Sequence, residues 1–479
     1  MPDLQSLIIF HENLIVTLTF DTSSVKNHKE LRLTLFNVEI DNRHNMFSYL
    51  EDEEMVELRR NRRLAKGVSI AGVGIAQFGA FPAKTTRDIF SEAVQDLLNR
   101  SEYGLNISDI QCGYIGNFSA DRFEGQAHLG SILSDWIGLT PTPFTRVENG
   151  CASSGSALRE GVMAIASGLY DIVLVGGVEK MTSVPTMEAT DNLASVADSL
   201  YEVPAGFTFP GIYASVAKAH MDRYETNLEH LMKVSIKNHH NGSLNPKAQF
   251  NMPLEELMQQ RIDWAKERSA EIPHWNDANE FLNDLMANPW IAWPLRLFDC
   301  APITDGAACA LLVSSDLSRH FTDTPVNIIG IGQATGRPLH DAEDLTSFGA
   351  TRSASKEAYD MAGINPNQIQ LAEVHDCFTI AEIIAMEDLG LFTPGDASRA
   401  VDDGRTSLNG ELPINTSGGL KAKGHPVGAS GVAQAAEVFL QLSGKAELRQ
   451  VQQKGLNLAL SQSVGGAGGT SVVTIYERG

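Results

Sequence analysis

From residue 68 onward, short apolar runs alternate with longer stretches of helix-forming residues. The run at 68–74 is apolar and ends in glycines, and the stretch at about 85–101 has the composition of a helix. Alternation of this kind predicts a layered α/β protein in which helices cover the faces of a sheet.

The same pattern occurs a second time along the chain. The run at 326–332 matches 68–74, and Gly-Ile-Asn at 363–365 matches Gly-Leu-Asn at 104–106. Further matches follow in the same order in both copies: helical stretches at about 85–101 and 353–362, strands ending near 117 and 375, apolar runs at 172–175 and 456–459 that end in paired glycines, and last strands at 307–313 and 471–475. We predict a duplicated fold, with an N-terminal half over 67–320, a C-terminal half over 321–479, and a five-stranded sheet in each half.

A long region at about 185–296 interrupts the first copy. It is rich in helix formers and contains Trp264 and Trp275. Long insertions in α/β domains commonly form lids or substrate loops, so we expect an inserted loop domain here. The pair His239-His240 has no cysteine or carboxylate partner at ligand spacing, so we interpret it as a solvated helix end and expect no metal site.

Residues 1–66 differ from the rest of the chain. Alternating apolar positions at 14–20 predict a strand or two, and an acidic run at 51–54 precedes a basic run at 59–63. Charge runs of this kind usually form solvated surface. We expect an appendage of uncertain role, or a translation start at Met46 or Met55.

Charge and composition exclude several classes of function. The formal net charge is -22, whereas a nucleic-acid-binding protein needs a basic surface. The chain has no apolar stretch of the ~18–20 residues that span a bilayer, and its first residues lack the basic start of a signal peptide. Its 5 cysteines are sparse and odd in number, which indicates reduced thiols and a cytoplasmic protein.

Cys151 is the first candidate for chemistry. It stands in Asn-Gly-Cys-Ala-Ser at 149–153, just before an alanine-rich helical stretch. A helix N-terminus stabilises negative charge, so this position favours the thiolate and makes the thiol a usable nucleophile. The small residues around Cys151 are predicted to leave room for a ligand, although a free cysteine is often a buried apolar residue.

A second candidate group is His-Asp-Cys-Phe at 375–378, where an apolar strand ends. Positions i and i+2 of an extended chain face the same way, so His375 and Cys377 can point into one site. Core packing explains this pair equally well when it is considered alone.

The third candidate is the glycine-rich segment 415–428. Its glycines predict a loop whose backbone comes close to another group, and we assign Ser417, Gly418 and Gly419 to a substrate loop. His425 stands between Gly424 and a proline, and an imidazole pKa near ~6.5 suits a general base. The glycine spacing is not that of a phosphate-binding loop.

A last glycine-rich turn covers residues 463–469. Turns after a strand can present backbone N–H groups to an oxyanion. Equivalent positions in two repeated halves come together between them, so the thiols, histidines and this turn are predicted to form one site. A covalent thioester followed by removal of an α-proton requires these groups.

These motifs resemble the thiolase superfamily over the chain from about 68 to 479. The likeness is greatest to the branch of the archaeal acetyl-CoA C-acetyltransferases and the sterol-carrier-protein-type thiolases. Asn-Gly-Cys-Ala-Ser resembles the nucleophile motif, Gly-Gly-Val-Glu-Lys-Met at 176–181 its following strand and turn, and Gly-His-Pro at 424–426 the base motif. His-Asp-Cys-Phe resembles the signature of this branch. The resemblance implies a duplicated thiolase fold with five αβαβα layers and an inserted loop domain, in which the stretch at about 254–287 departs from the family pattern as an insertion.

The resemblance also implies a role for each residue. Cys151 carries the acyl group and His425 activates it, while His375 shares the enolate oxyanion hole with His425. Cys377 is the second acid/base, because Ser463 stands where ordinary thiolases place that cysteine. Backbone groups of Cys151, Gly465 and Gly466 form the other oxyanion hole.

The implied reaction joins two acetyl-CoA molecules into acetoacetyl-CoA and CoA, at the start of the mevalonate route to isoprenoids. CoA thioesters are substrates, and no cofactor is expected. The resemblance further implies a homodimer or homotetramer, and a complex with hydroxymethylglutaryl-CoA synthase through a small zinc-ribbon and OB-fold protein.

Three alternatives stay open at this point. The first is a degradative 3-ketoacyl-CoA thiolase of longer or steroid-derived chains, with the same catalytic residues. The second is a ketoacyl synthase that uses an acyl carrier protein, against which Cys377 argues. The third is an inactive scaffold or lipid-binding partner, which would be expected to have lost Cys151.

Overall fold

The computed structural model describes residues 63–268 and 271–479 in full, and residues 4–11 and 14–21 by their backbone. The chain divides into two compact units, 1–60 and 61–479. In the first unit, β1 (Leu4–His11) and β2 (Leu14–Asp21) form an antiparallel hairpin, which confirms a strand at 14–20. The acidic run, most of the basic run, and Met46 and Met55 lie outside the described residues.

The second unit is built on one nine-stranded sheet with strand order β11-β12-β13-β10-β3-β9-β6-β4-β5. A separate two-stranded ribbon pairs β7 with β8. The strands of this unit are β3 (Val68–Ile75), β4 (Cys112–Gly116), β5 (Phe144–Val147), β6 (Ile172–Glu179), β7 (Trp290–Ala292), β8 (Leu295–Arg296), β9 (Gly306–Ser314), β10 (Val326–Thr335), β11 (Leu371–Glu373), β12 (Leu458–Gly465) and β13 (Thr470–Arg478).

The sheet confirms the duplication. Five strands of the N-terminal half follow the order β3-β9-β6-β4-β5, and the C-terminal half repeats this order as β10-β13-β12-β11. The prediction of five strands is wrong for the C-terminal half, where the fifth position is reduced to a bridge between Ala372 and Ile414. The halves join where β3 runs antiparallel to β10, and Ser69 pairs there with its equivalent, Asn327. The glycines at 176–177 lie inside β6 rather than after it, since close packing against Phe90 and Gly428 requires them there.

Together with the two halves of the sheet, the helices form five layers in the order αβαβα. Helices α1 and α3 cover the outer face of the N-terminal half, α4 and α13 lie between the halves, and α10 and α11 cover the outer face of the C-terminal half. The α-helices are α1 (Thr86–Arg100), α2 (Ala120–Phe123), α3 (Leu129–Trp136), α4 (Ser153–Ala166), α5 (Thr186–Ala194), α6 (Phe209–Tyr224), α7 (Leu228–Ser243), α8 (Leu254–Glu267), α9 (Ala278–Asn283), α10 (Gly349–Ala362), α11 (Thr379–Asp388), α12 (Ala397–Asp402) and α13 (Ser430–Leu442). One π-helical turn covers Gly419–Lys423, and short 3-10 turns cover Ile107–Asp109, Leu297–Asp299, Ser318–His320, Leu339–Asp341, Pro366–Gln368 and Glu447–Arg449.

The two middle helices explain the small residues that follow Cys151. A Cβ on Gly431 of α13 would lie 2.5 Å from the Gly155 nitrogen of α4. A Cβ on Gly177 of β6 would lie 2.7 Å from the Ser154 Cβ. These small residues therefore serve the contact of α4 with its neighbours, and only part of the pattern concerns space for a ligand.

The region between β6 and β9 carries α5 to α9 and the β7–β8 ribbon. Helix α7 packs against the π-helical turn of the C-terminal half. His239 on α7 is buried between Phe250 and Phe298, with ring centroids 5.2 and 5.7 Å away. The interpretation of a solvated helix end is therefore wrong for His239, whereas His240 is exposed. Across the described residues, no helix is both long and apolar enough to cross a membrane.

Candidate active site

Cys151 lies in a tight loop between β5 and α4. The backbone of Gly150 has φ 57°, a left-handed conformation that favours glycine. The Asn149 amide donates to Ser156 Oγ over 2.9 Å, and Thr470 Oγ1 donates to the Asn149 side-chain oxygen over 2.8 Å. The nucleophile loop is thus joined directly to the glycine-rich turn of the C-terminal half.

The Cys151 thiol is buried, with 7% of the residue exposed. Burial raises its pKa to about 12, and a hydrogen bond from the Gly466 N–H only partly offsets this. The expectation that the helix start favours the resting thiolate is therefore wrong, because desolvation of the charge outweighs the helix N-terminus. The thiol needs a base to become a nucleophile.

His425 can be that base. Its Nδ1 lies 2.8 Å from Ser430 Oγ, and the Ser430 hydroxyl donates to the Pro426 carbonyl over 2.9 Å. Since the Ser430 proton is already donated to Pro426, Ser430 Oγ can only accept a hydrogen bond from Nδ1–H of His425. The free lone pair of the ring is therefore on Nε2. Burial and the neighbouring His375 hold the pKa of His425 well below its usual range, so the ring is neutral.

His375 faces His425 edge to face. Their ring centroids are 5.1 Å apart at an interplanar angle of 83°. The Cys151 Sγ, one ring nitrogen of His375 and one ring nitrogen of His425 all lie within 4.8 Å of one another. Burial lowers the pKa of His375 to about 3, and neither ring nitrogen has a hydrogen-bond partner among the described residues. One neutral N–H is therefore free to donate to a substrate oxygen.

Cys377 lies near this cluster, two residues after His375, and is buried as well. Burial raises its pKa well above that of a free thiol, and Cys151 raises it further through charge repulsion. The Tyr213 hydroxyl acts in the other direction, through a hydrogen bond that favours the Cys377 thiolate. Two thiols and two histidines from both halves therefore share one buried site.

The glycine-rich turn lies against the nucleophile loop. A Cβ on Gly465 would lie 2.5 Å from the Asn149 carbonyl oxygen, so only glycine allows this approach. Gly466 has φ 62° and donates its N–H to Cys151. Ser463 Oγ donates to the Cys151 carbonyl over 3.4 Å. The turn therefore brings the Gly466 N–H to the sulfur, beside the N–H of Cys151 itself, and an oxyanion hole requires donors of this kind.

Comparison with known proteins agrees with this geometry. Residues 68–265 match the family described as "Thiolase, N-terminal domain", and residues 332–478 match "Thiolase C-terminal domain-like". An acetyl-CoA acetyltransferase of Methanothermobacter thermautotrophicus is 43% identical over 414 residues, which cover 86% of this chain and 100% of that protein. The chain belongs to the thiolase family.

One further sequence and one solved structure are also similar to this thiolase. Sterol carrier protein 2 of Homo sapiens is 31% identical over 433 residues, which cover 86% of this chain and 72% of that protein. A solved structure described as "Ltp2-ChsH2(DUF35) aldolase" has a TM-score of 0.69 at 23% identity, covering 86% of this chain and 98% of its own, which supports the fold alone. As a member of the family, the protein is an acyltransferase.

The predicted substrate loop of this thiolase is buried and bonded to protein groups. Ser417 Oγ donates to Glu373 Oε2 over 2.5 Å. A Cβ on Gly418 would lie 2.7 Å from Gly242 Cα in α7, and a Cβ on Gly419 would lie 2.1 Å from Asp376 Oδ2. These contacts hold the loop against the strand end that carries His375, while its role towards substrate stays a prediction.

Glu179 is a buried residue for which the sequence alone predicts no role. It accepts hydrogen bonds from the backbone N–H groups of Phe118, Ser119 and Gly428 over 2.8, 3.0 and 3.0 Å. It therefore fastens the loop after His425 to the N-terminal half. Burial raises its pKa to about 7, although these N–H groups favour the charged form.

A cleft of about 500 Å³ opens beside the nucleophile loop. Gly150, Gly465 and Gly466 line it, together with residues from the segments 195–212 and 336–339. Because Gly150 directly precedes Cys151, the cleft reaches the nucleophile loop.

We expect Ser430→Ala to lower kcat/KM for thiolysis by about tenfold. The change removes the acceptor that holds Nδ1–H of His425, and one buried hydrogen bond contributes about 1–1.5 kcal/mol. Ser443→Ala, in a buried serine just after the same helix, is the matched control. Equal activity of the two variants would show that Ser430 does not orient the base.

Proposed function

We propose that this protein is an acetyl-CoA C-acetyltransferase, which joins two acetyl-CoA molecules into acetoacetyl-CoA and CoA. The similarity to the archaeal acetyltransferase supports this substrate. The structural observation that carries the proposal concerns the surroundings of Cys151. This residue shares a small apolar cluster, the thiol cluster, with Phe118, Met181 and Val427. An acyl group bound to the sulfur has little space there, which favours a short chain.

The first half of the reaction acylates Cys151. His425 Nε2 takes the thiol proton, and the thiolate attacks the thioester carbonyl of acetyl-CoA. N–H groups of Cys151 and of the Gly465–Gly466 turn hold the oxyanion. The carbon–sulfur bond to CoA then breaks, and CoA leaves with the proton of Cys377.

The second half forms the carbon–carbon bond. The Cys377 thiolate removes a proton from the α-carbon of a second acetyl-CoA, and His375 and protonated His425 donate to the enolate oxygen. The enolate carbon attacks the acetyl group on Cys151, and the sulfur is expelled. It takes back the proton held by His425, so both thiols are restored.

The N-terminal half over 67–320, with its loop domain at about 185–296, and the C-terminal half over 321–479 are proposed to close around this site, with no cofactor. The hairpin-bearing segment 1–66 is proposed as an appendage. The reaction would supply the mevalonate route to isoprenoids in the cytoplasm. A homodimer or homotetramer is proposed from the family resemblance.

We also propose a complex with hydroxymethylglutaryl-CoA synthase through a small zinc-ribbon and OB-fold protein. Such a complex would consume acetoacetyl-CoA, whose formation by condensation is energetically unfavourable. The solved structure named for Ltp2 together with ChsH2 (DUF35) supports a second protein as partner.

A degradative 3-ketoacyl-CoA thiolase is the second candidate. The similarity to sterol carrier protein 2 favours it, as does the cleft, which has room for a longer chain outside the thiol cluster. Phe118 distinguishes the two candidates because it belongs both to the thiol cluster and to the lining of the cleft.

We expect acetoacetyl-CoA to be cleaved with CoA at least about tenfold faster than 3-ketohexadecanoyl-CoA, in terms of kcat/KM. Phe118→Ala should shift this ratio towards the long substrate. Phe123→Ala, in the same cluster but outside the cleft lining, is the control and should not. A wild-type preference for the long substrate would favour the degradative enzyme, and inactivity on both would contradict a stand-alone thiolase.

A further inference from the structure

Tyr213 is a fully buried tyrosine on α6, within the inserted region. Its ring stacks on Phe378 with centroids 4.6 Å apart and meets Phe348 edge-on at 6.1 Å. The ring is therefore held beside the residue that directly follows Cys377, and its hydroxyl has little freedom to move away.

The hydroxyl faces two groups. It donates to the Gly466 carbonyl over 3.1 Å, and the Cys377 thiol, which belongs to the same buried cluster as Tyr213, lies within its reach. A phenol has a single proton, so it cannot donate to both groups at once. With Cys377 protonated, S–H donates to the tyrosine oxygen while O–H donates to Gly466. With Cys377 ionised, O–H turns to the sulfur.

We propose that Tyr213 is a positioning residue for the acid/base thiol, aiming Cys377 at the substrate and holding its thiolate between the two halves of the reaction. This inference rests on the proposed function of Cys377. It also gives the inserted region a role in the reaction. The hydroxyl comes from α6, which lies in that region and outside the family motifs.

The surroundings of Cys377 make this hydroxyl important. Burial and the neighbouring Cys151 and Asp376 all raise the Cys377 pKa. Tyr213 and the Phe378 N–H are the groups that lower it. A hydrogen bond to a charged sulfur is stronger than one to a neutral thiol, so the tyrosine stabilises the thiolate selectively.

The same hydroxyl joins the thiol to the oxyanion turn. Gly466 receives the tyrosine proton at its carbonyl and gives its own N–H to Cys151. When Cys377 gives its proton to CoA, the Tyr213 O–H would turn from the Gly466 carbonyl to the Cys377 sulfur. The Gly466 carbonyl would therefore lose this donor while the acyl group is bound to Cys151.

Tyr213→Phe is the direct test because it keeps the ring and removes only the hydroxyl. Alkylation of Cys377 by iodoacetamide, followed by peptide mass spectrometry between pH 6 and 10 in a Cys151→Ala background, reports the thiolate fraction. We expect the rate at pH 8 to fall about tenfold or more in Tyr213→Phe. Tyr359→Phe, which removes another buried hydroxyl whose partner is the Leu389 carbonyl, should leave the rate unchanged.

A second readout follows the substrate in proteins that retain Cys151. Exchange of the α-hydrogens of acetyl-CoA in D2O measures the acid/base step, and we expect Tyr213→Phe to slow it about tenfold or more. Unchanged exchange and alkylation, with Cys377→Ala inactive, would overturn the role of Tyr213 alone. Full exchange in Cys377→Ala would overturn the acid/base role of Cys377 and this inference with it.

Discussion

Cys151→Ala is expected to lower the rate of acetoacetyl-CoA thiolysis by about 10⁴-fold or more. The alanine cannot form the covalent thioester, and removal of a nucleophile costs about this much in enzymes that act through one. The oxyanion groups and the two histidines remain, so binding of substrate should change little. The measurement is the initial loss of the acetoacetyl thioester at saturating CoA.

Cys112→Ala is the matched control for that change. Cys112 is also buried, in β4 at 3% exposure, but it belongs to the central core rather than to the thiol cluster. It should keep nearly full activity. Residual activity of Cys151→Ala within about tenfold of the wild type would exclude a covalent mechanism on Cys151.

His425→Asn is expected to lower the rate of Cys151 acylation by about 10²- to 10⁴-fold. The loss should be large because burial raises the pKa of the Cys151 thiol to about 12, so almost no thiolate forms at neutral pH without a base. In this variant the rate should rise about tenfold for each pH unit from 7 to 9, since the thiolate fraction rises in this way below the pKa.

Acetylation of Cys151 by acetyl-CoA over that pH range, followed by peptide mass spectrometry, provides the measurement. The sign follows from the direction of the shift, because a raised thiol pKa leaves the protonated form dominant and each step up in pH releases more thiolate. His240→Asn, at an exposed histidine of α7, is the control. A flat pH profile in His425→Asn would show that another group activates the thiol.

The duplication could be predicted from the sequence because each copy repeats strands, glycines and helices in the same order. The four catalytic candidates could be predicted for a related reason. Cys151, His375, Cys377 and His425 each stand in a short contiguous motif, so local chemistry is visible without the fold.

Other features depend on tertiary contacts and have no local signal. Tyr213 lies in an ordinary helical stretch of the inserted region, and only the packing of α6 against Phe378 brings it to the site. The protonation of Cys151 was predicted wrongly because a position before a helix is visible in the sequence, whereas the depth of burial is not. Ser430 lies five residues after His425, but its role depends on how its hydroxyl proton is used.

Glu179 lies between these two cases. It stands within the motif Gly-Gly-Val-Glu-Lys-Met, yet its partners come from two distant loops. Glycine at 428 allows this contact, since a Cβ there would lie 2.5 Å from the Glu179 carboxylate. Such a carboxylate can be recognised only when both loops are seen together.

Trapping the acyl-enzyme tests the central claim most directly. The protein would be mixed with acetyl-CoA, quenched in acid within seconds, digested, and analysed by peptide mass spectrometry for acetyl groups on cysteine. We predict one acetyl group per chain on the peptide that contains Cys151, lost on addition of CoA and absent in Cys151→Ala. An acetyl group on Cys377 or another cysteine instead, or no acetyl-cysteine while acetoacetyl-CoA is still turned over, would contradict the proposed mechanism.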